Sequence, residues 1–448
     1  MDAHLIDSRM FGHQWSTEES RELFGEQQRL QRWLDVIAAL ARAQSAVGLL
    51  PPESALAISR LKAAELPLDE IAARTRETSH STLGLIQVLR ERLPATAAEH
   101  VYYGATVQDV TDTSAVLELR AVGALLWRDW HAIEDYLLEL AGEHRATPMV
   151  GRTHGQPGAP ISFGYKVASW ADELGRSLER LAQGRQRWLV GQLGGAVGTL
   201  AFFGDRGVAL RRAFCRELDL GVPAMSWLSC RDRLAEFAQV VATGVSGLAR
   251  MANEVYALQR REIGELAERS RASTVGSITM PHKRNPESSE QIVVLARIAR
   301  SHAALLTETL VQEHERDARG WKAEWAVFPE LCHMLLAASA MARELVQGLE
   351  VHAERMRLNL DETASSERIL SAMSARIGKH AAQAALHEAF RRARESQLPL
   401  AQALEGLATG SELALLDQIG LGASVDAVES VRAASVARRA GVGAGAAW

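Results

Sequence analysis

Prolines leave residues 161–222 and 224–280 untouched, and this spacing constrains the fold more than any other feature of the chain. A proline inside a helix removes a hydrogen bond and clashes with the preceding turn, so proline-free intervals of this length suit long helices. From Leu234 the apolar positions Phe237, Val241, Val245, Leu248, Ala252, Val255 and Leu258 recur at three- and four-residue spacing, one buried stripe on a long helix. Leu119, Val122, Leu126, Trp130, Ile133, Leu137 and Leu140 repeat the habit within 115–145, and no alternating strand pattern of comparable length is visible. The expected fold class is all-α, a bundle of long helices. Pro51 and Pro52 and the turn residues near Pro94 break up an N-terminal helical region, and the acidic, serine-rich stretch 361–367 sets off a smaller C-terminal one. These breaks predict an N-terminal helical domain over 1–105, a central bundle with the catalytic loops over 106–350 and a C-terminal helical domain over 351–448. The Ala- and Gly-rich residues from about 440 read as a loose tail.

With 448 residues and a formal charge of -5, the chain can bury a large core and gives no sign of binding nucleic acid or an anionic membrane. Three scattered cysteines, Cys215, Cys230 and Cys332, suit neither a disulfide framework nor a metal site and point to a reducing, cytoplasmic compartment. No basic-then-apolar leader follows Met1 and no apolar run reads as long enough to span a bilayer, so neither secretion nor membrane insertion is expected.

Chemistry concentrates in four short segments. Gly276 to Pro286 reads GSITMPHKRNP, with a flexible Gly-Ser start, a Met-Pro stop, a Lys and an Asn between two helical stretches, a composition suited to closing over an anion. It resembles the signature loop of the fumarase/aspartase superfamily, G-S-S-x-M-P-x-K-x-N-P, with Ile278 where the second Ser is usual. The resemblance implies that Ser277 is the catalytic base and that Lys283 and Asn285 hold a substrate carboxylate. A proline-punctuated linker with a solvated Lys is the plainer reading of the same residues.

Gly151-Arg152-Thr153-His154-Gly155-Gln156-Pro157 places a His between Gly and Pro in a loop, poorly suited to core packing and well suited to face a cavity. It resembles the G-R-T-H-x-Q segment of adenylosuccinate and argininosuccinate lyases, which implies that Thr153 and Gln156 bind substrate and His154 transfers a proton. A loop His bonded to backbone is the alternative. In Gly104 to Thr113, Thr106 and Gln108 can donate to a carboxylate at the start of the following helix, where free N–H groups and the dipole favour an anion. The same residues also read as a plain N-cap series. The superfamily pattern G-x-T-S-x-D-x-x-D-T is matched here except that Val107 replaces the Ser. His80, among hydroxyls in Thr78 to Thr82, resembles the N-terminal His of adenylosuccinate lyases that supports the other His, and otherwise reads as a capped helix start.

The branch is marked by His314 to Trp325, which resembles the H-E-R-x-x-G-x-W-x-x-E-W run of bacterial 3-carboxy-cis,cis-muconate cycloisomerases and carries Arg316 as a further substrate contact. Adenylosuccinate lyases place Ser and Arg where Trp321 and Trp325 stand, and two indoles offer no charge for a nucleotide phosphate. The chain thus pairs a cycloisomerase frame with a lyase's histidines. Removing a proton beside a carboxylate creates a dianionic aci-carboxylate, which demands a strong base and several fixed donors. The resemblance implies a cofactor-independent, metal-free homotetramer with sites shared between subunits, acting on a small dicarboxylate-type substrate. The expected reaction is anti β-elimination from a succinyl adduct, C–N cleavage, to fumarate or a fumarate-like acid. A lactonising cycloisomerase and an inactive structural relative are the alternatives.

Overall fold

A computed structural model describes residues 4–270, 275–441 and 448. Five long helices dominate them: Val107–Glu143, Phe163–Trp188, Asp232–Leu258, Glu287–Glu308 and Ala318–Gln347. Each packs against the next and the last returns to the first, closing a ring around one apolar core. Both striped sequences face that core, and only Leu140 of their named residues is partly rather than fully buried. The indole of Trp130, wholly inside, donates to Ser339 Oγ at 2.9 Å, so burying its N–H costs no hydrogen bond.

A second apolar cluster joins the N-terminal helices through Leu34, Ile37, Leu40, Ile58 and Leu89, and it recruits Leu193, Phe203 and Phe214 from beyond the second ring helix. A third is built from Ile369, Met373, Leu386, Leu400 and Leu404. The helix Ser424–Gly441 instead lies along Phe163–Trp188, clamped by Arg438 and Arg439 on the buried Glu134 at 2.8 and 2.7 Å. Of the expected loose tail, residues 442–447 lie outside the described residues, while the Trp448 ring sits 6.2 Å from that of Trp188.

Two expectations need correction. The loop expected around His154 is an antiparallel hairpin, Pro148–Thr153 with Gln156–Ser162, and a short pair, Leu266–Ala267 with Glu350–Val351, lies beyond it. The fold class remains all-α. The helix Ala318–Gln347 is also long and apolar enough, by length and composition, to cross a membrane, although no such run was expected. Its Leu331, Leu335, Ala338 and Ala342 are buried in the ring.

Ion pairs fix the direction in which the helices run. Arg231, just before Asp232–Leu258, bonds Asp112, near the start of Val107–Glu143. Beyond the far ends of these two helices, Arg152 of the hairpin bonds Glu265. Thr309, at the end of Glu287–Glu308, bonds Glu324 near the start of Ala318–Gln347, and Glu324 bonds Arg231. One end of the ring therefore gathers Thr106, Arg231, Thr309 and Arg316, and the other gathers the hairpin, Glu265 and the loop of Ser277. Val107–Glu143 is 37 residues long. At the helical rise per residue the two ends stand about 55 Å apart.

Candidate active site

At the hairpin end, His154 and Gly155 form the two-residue turn, with φ of 53° and 74°, between the paired Thr153 and Gln156. Two successive positive φ angles define the turn that matches strand twist, and His154 pays the strain that Gly155 does not. The imidazole is exposed and makes no hydrogen bond among the described residues, and Thr153 and Gln156 are exposed beside it. The hairpin itself is tied down. Arg152 reaches Glu265 through two bonds of 2.8 and 2.7 Å, and Glu265, fully buried, also accepts from Asn359 Nδ2 at 2.7 Å. A bidentate guanidinium–carboxylate contact fixes orientation as well as distance.

The loop of Ser277 lies at the same end. Ser277 Oγ accepts from the Met280 N–H at 3.1 Å and lies 3.5 Å from Thr279 Oγ1. An N–H aimed at the hydroxyl oxygen favours its anionic form. Asn285 Nδ2 donates to the Gly276 carbonyl at 2.9 Å and to Glu287 at 3.2 Å, closing the neck of the loop with the amide that the resemblance assigns to substrate. Glu268 holds the loop's base: its two oxygens accept from the N–H groups of Ser288 and Ser289, at 3.1 and 2.7 Å, in the first turn of the following helix. Lys283, Arg269 and Arg284 line a cavity of about 860 Å³ together with Glu268 and Gly276. Ile278, where the family has its second Ser, is 96% exposed.

The opposite end holds the other expected residues. Thr106 begins the longest helix, its N–H donating to Asp109 at 2.9 Å, and its hydroxyl accepts from Arg316 Nη2 at 2.6 Å. The chain enters at Gly104 with φ of 70°, where a Cβ would come within 2.5 Å of Phe202 and Phe203. His80 Nδ1 accepts from the Leu83 N–H at 3.2 Å, the capped helix start that the sequence also allowed. Gln108 turns away from Thr106: it is buried, donates to the Leu228 carbonyl at 2.8 Å, and its Oε1 has no partner. Thr106 is the extended N-cap and Gln108 stands two residues on, where helical side chains point about 200° apart, which explains the divergence.

Asp109 also accepts from the N–H groups of Gly194 and Gly195, at 2.7 and 3.1 Å. Burial outweighs these bonds and pushes its carboxyl up to about 6. A raised folded value means that the fold holds the proton more tightly, so this group's contribution to stability is greatest below its unfolded value and is lost as pH rises through about 6. In denaturant titrations, wild type relative to Asp109→Asn is expected to lose about 3 kcal/mol between about pH 3, below the unfolded value, and neutral pH. A difference that does not vary with pH would assign Asp109 an ordinary carboxyl.

One turn deeper lies a cluster that the sequence did not reveal as a unit. Arg231, 1% exposed, bonds Asp112 at 2.7 and 3.0 Å and Glu324 at 2.8 Å; Trp321 Nε1 donates to Asp112 at 3.1 Å and Thr309 to Glu324 at 3.1 Å. Four ring helices meet here, directly behind Thr106 and Arg316. Trp321 is thus buried with its N–H satisfied, whereas Trp325 is 38% exposed. The expected residues therefore fall into two groups, and among the described residues no hydrogen bond joins one group to the other.

A family model described as Lyase matches residues 13–299. N-acetyl-S-(2-succino)cysteine lyase of Dickeya dadantii is 39% identical over 392 residues, 87% of this chain and 86% of that protein. The 3-carboxy-cis,cis-muconate cycloisomerase of Pseudomonas aeruginosa is 37% identical over 401 residues, 88% of this chain and 87% of its own. The crystal structure of the 3-carboxy-cis,cis-muconate lactonizing enzyme from Pseudomonas putida superposes with a TM-score of 0.90 at 32% identity, covering 96% of this chain and all of that one. A helical ring carrying a Ser-Lys-Asn loop at one end and a Thr-Arg pair at the other, with these relatives along nearly its whole length, makes the chain a member of the lyase family of the fumarase/aspartase superfamily.

Proposed function

We propose that the enzyme is a cofactor-independent lyase that releases fumarate from a 2-succinyl thioether by β-elimination. The observation that carries this reading is the joining of an elimination loop, Ser277 with Lys283 and Asn285, to similarity over 87% of the chain with an enzyme named for a succinylated cysteine. Sulfur replaces the nitrogen first expected from the sequence. The chemistry favours the exchange, since a thiolate leaves with an ordinary pKa near 8.5, below that of an alkylamine, and depends less on a general acid.

In this mechanism Lys283, with Asn285 released from the loop neck, holds the carboxylate beside the acidic C–H. Ser277 takes the proton, its alkoxide eased by the Met280 N–H. The C–S bond breaks with its electron pair moving to sulfur, and His154, supported by His80, returns a proton to the thiolate. Thr106 and Arg316 hold the second carboxylate. Because Thr106 and His154 lie about 55 Å apart in one chain, a working site takes one end from each of different subunits, which supports the homotetramer and predicts that light scattering finds no stable monomer at micromolar concentration.

The test is fumarate absorbance together with thiol titration on N-acetyl-S-(2-succino)cysteine, an N-succinyl amine and carboxymuconate. Equal fumarate and thiol from the first is the expected result. His154→Ala should then cost about a hundred-fold in turnover with an amine leaving group and about ten-fold with a thiol. The cycloisomerase is the second reading, favoured by the 0.90 superposition on a lactonizing enzyme. Lactone from carboxymuconate, without fumarate from either succinyl adduct, would replace the first reading by the second. No cleavage of adenylosuccinate is expected.

A further inference from the structure

Between the helices that begin at Thr106 and just after Arg316 lies a cavity of about 420 Å³, within the size range of small-molecule sites. Thr111 and Ser114, on its floor, follow Thr106 by about 8 and 12 Å of helical rise. They share the helix face of Val107, at i, i+4 and i+7, so the cavity continues along the helix, toward the middle of the ring, from the position where the family carries a Ser. Trp33, Trp325 and Phe328 make much of its wall apolar.

Its polar groups have a sign. The carboxylates at its edge are already engaged: Glu118 by Arg32 at 2.9 Å, and Asp112 and Glu324 by Arg231. Lys322 and Arg29, which also line it, make no ion pair among the described residues. Ser114 Oγ lies in the same lining, 2% exposed, and has no hydrogen-bond partner. A buried hydroxyl without a partner costs free energy that a ligand's amide or carbonyl would recover. Asp112 and Glu324 share the one guanidinium of Arg231, and Arg29 also acts on Glu118. Four cations, Arg29, Arg32, Arg231 and Lys322, thus face three carboxylates, and the one net positive charge favours a carboxylate and disfavours an ammonium.

Resting on the elimination reading above, we propose that this cavity receives the departing half of the substrate, and that it selects a carboxylated thiol whose amino group is neutralised by acylation. Lys322 and Arg29 hold the carboxylate, Ser114 bonds the acyl amide, and the indole faces cover the acyl carbon chain.

Two measurements test this. In equilibrium titration by tryptophan fluorescence, N-acetylcysteine should bind saturably to the wild-type enzyme, at least ten-fold more tightly than cysteine, and Lys322→Gln and Ser114→Val should each weaken it ten-fold or more. In turnover, Lys322→Gln should lower kcat/KM for the succinyl adduct of N-acetylcysteine at least ten-fold more than for that of methanethiol. Lys322 is exposed and carries no structural bond, so this variant folds if the wild type does. Absence of binding, or equal losses on both adducts, overturns the pocket even where fumarate is released. Binding with the expected selectivity but without fumarate release sustains the pocket and removes the elimination reading instead.

Discussion

Ser277→Ala is expected to lower turnover by about a thousand-fold or more while leaving KM within a few-fold of wild type. The hydroxyl has little to offer a bound ground-state succinyl group, and its value lies in taking a proton as the carbanion forms. The loop should survive the change. Its neck is held by Asn285 on Gly276 and its base by Glu268 on Ser288 and Ser289, and neither contact uses Ser277. Stopped assays of fumarate release at saturating substrate provide the check, and a variant retaining more than a tenth of wild-type turnover would place the base elsewhere.

Arg231→Met is expected to be the most damaging single change to stability. It leaves Asp112 and Glu324 buried together with no cation between them, and breaking a buried ion pair from one side typically costs about 3–5 kcal/mol. The companion triple variant, Arg231→Met with Asp112→Asn and Glu324→Gln, removes the charges together and should recover most of that loss. Denaturant unfolding of the two proteins decides the point: a single variant within 1 kcal/mol of wild type would mean that water or a rearranged side chain already compensates the carboxylates.

The long helices were legible because a three- and four-residue apolar rhythm is a local property, and Phe237 through Leu258 lie in the core as that rhythm requires. The hairpin was not. Its strands are short and carry Pro148, Pro157 and Pro160, which mask alternation, and of the turn pair only Gly155 is a residue that favours such a turn. The Thr106–Arg316 contact and the bonds of Arg231 to Asp112 and Glu324 join residues 93 to 210 positions apart, a separation over which spacing carries no information. Gln108 misled for a different reason: a carboxamide beside Thr106 looks like a donor until the helix turns it onto Leu228. The indoles were read as a missing phosphate clamp, and only packing divides their labour between Trp321 on Asp112 and Trp325 on a cavity wall.

The length of the ring has a genetic consequence. If catalysis draws on opposite ends of different chains, a lesion at Ser277 and a lesion at Arg316 damage separate contributions to each centre. Co-expressed in one cell, two alleles that are each silent as homo-oligomers then assemble mixed particles in which some centres inherit both sound halves. Such a pair would show partial recovery of activity in trans, whereas two lesions carried on the same polypeptide would leave its product inert with any copy of itself. The spacing of two loops along one helix thereby sets which mutant alleles can rescue each other.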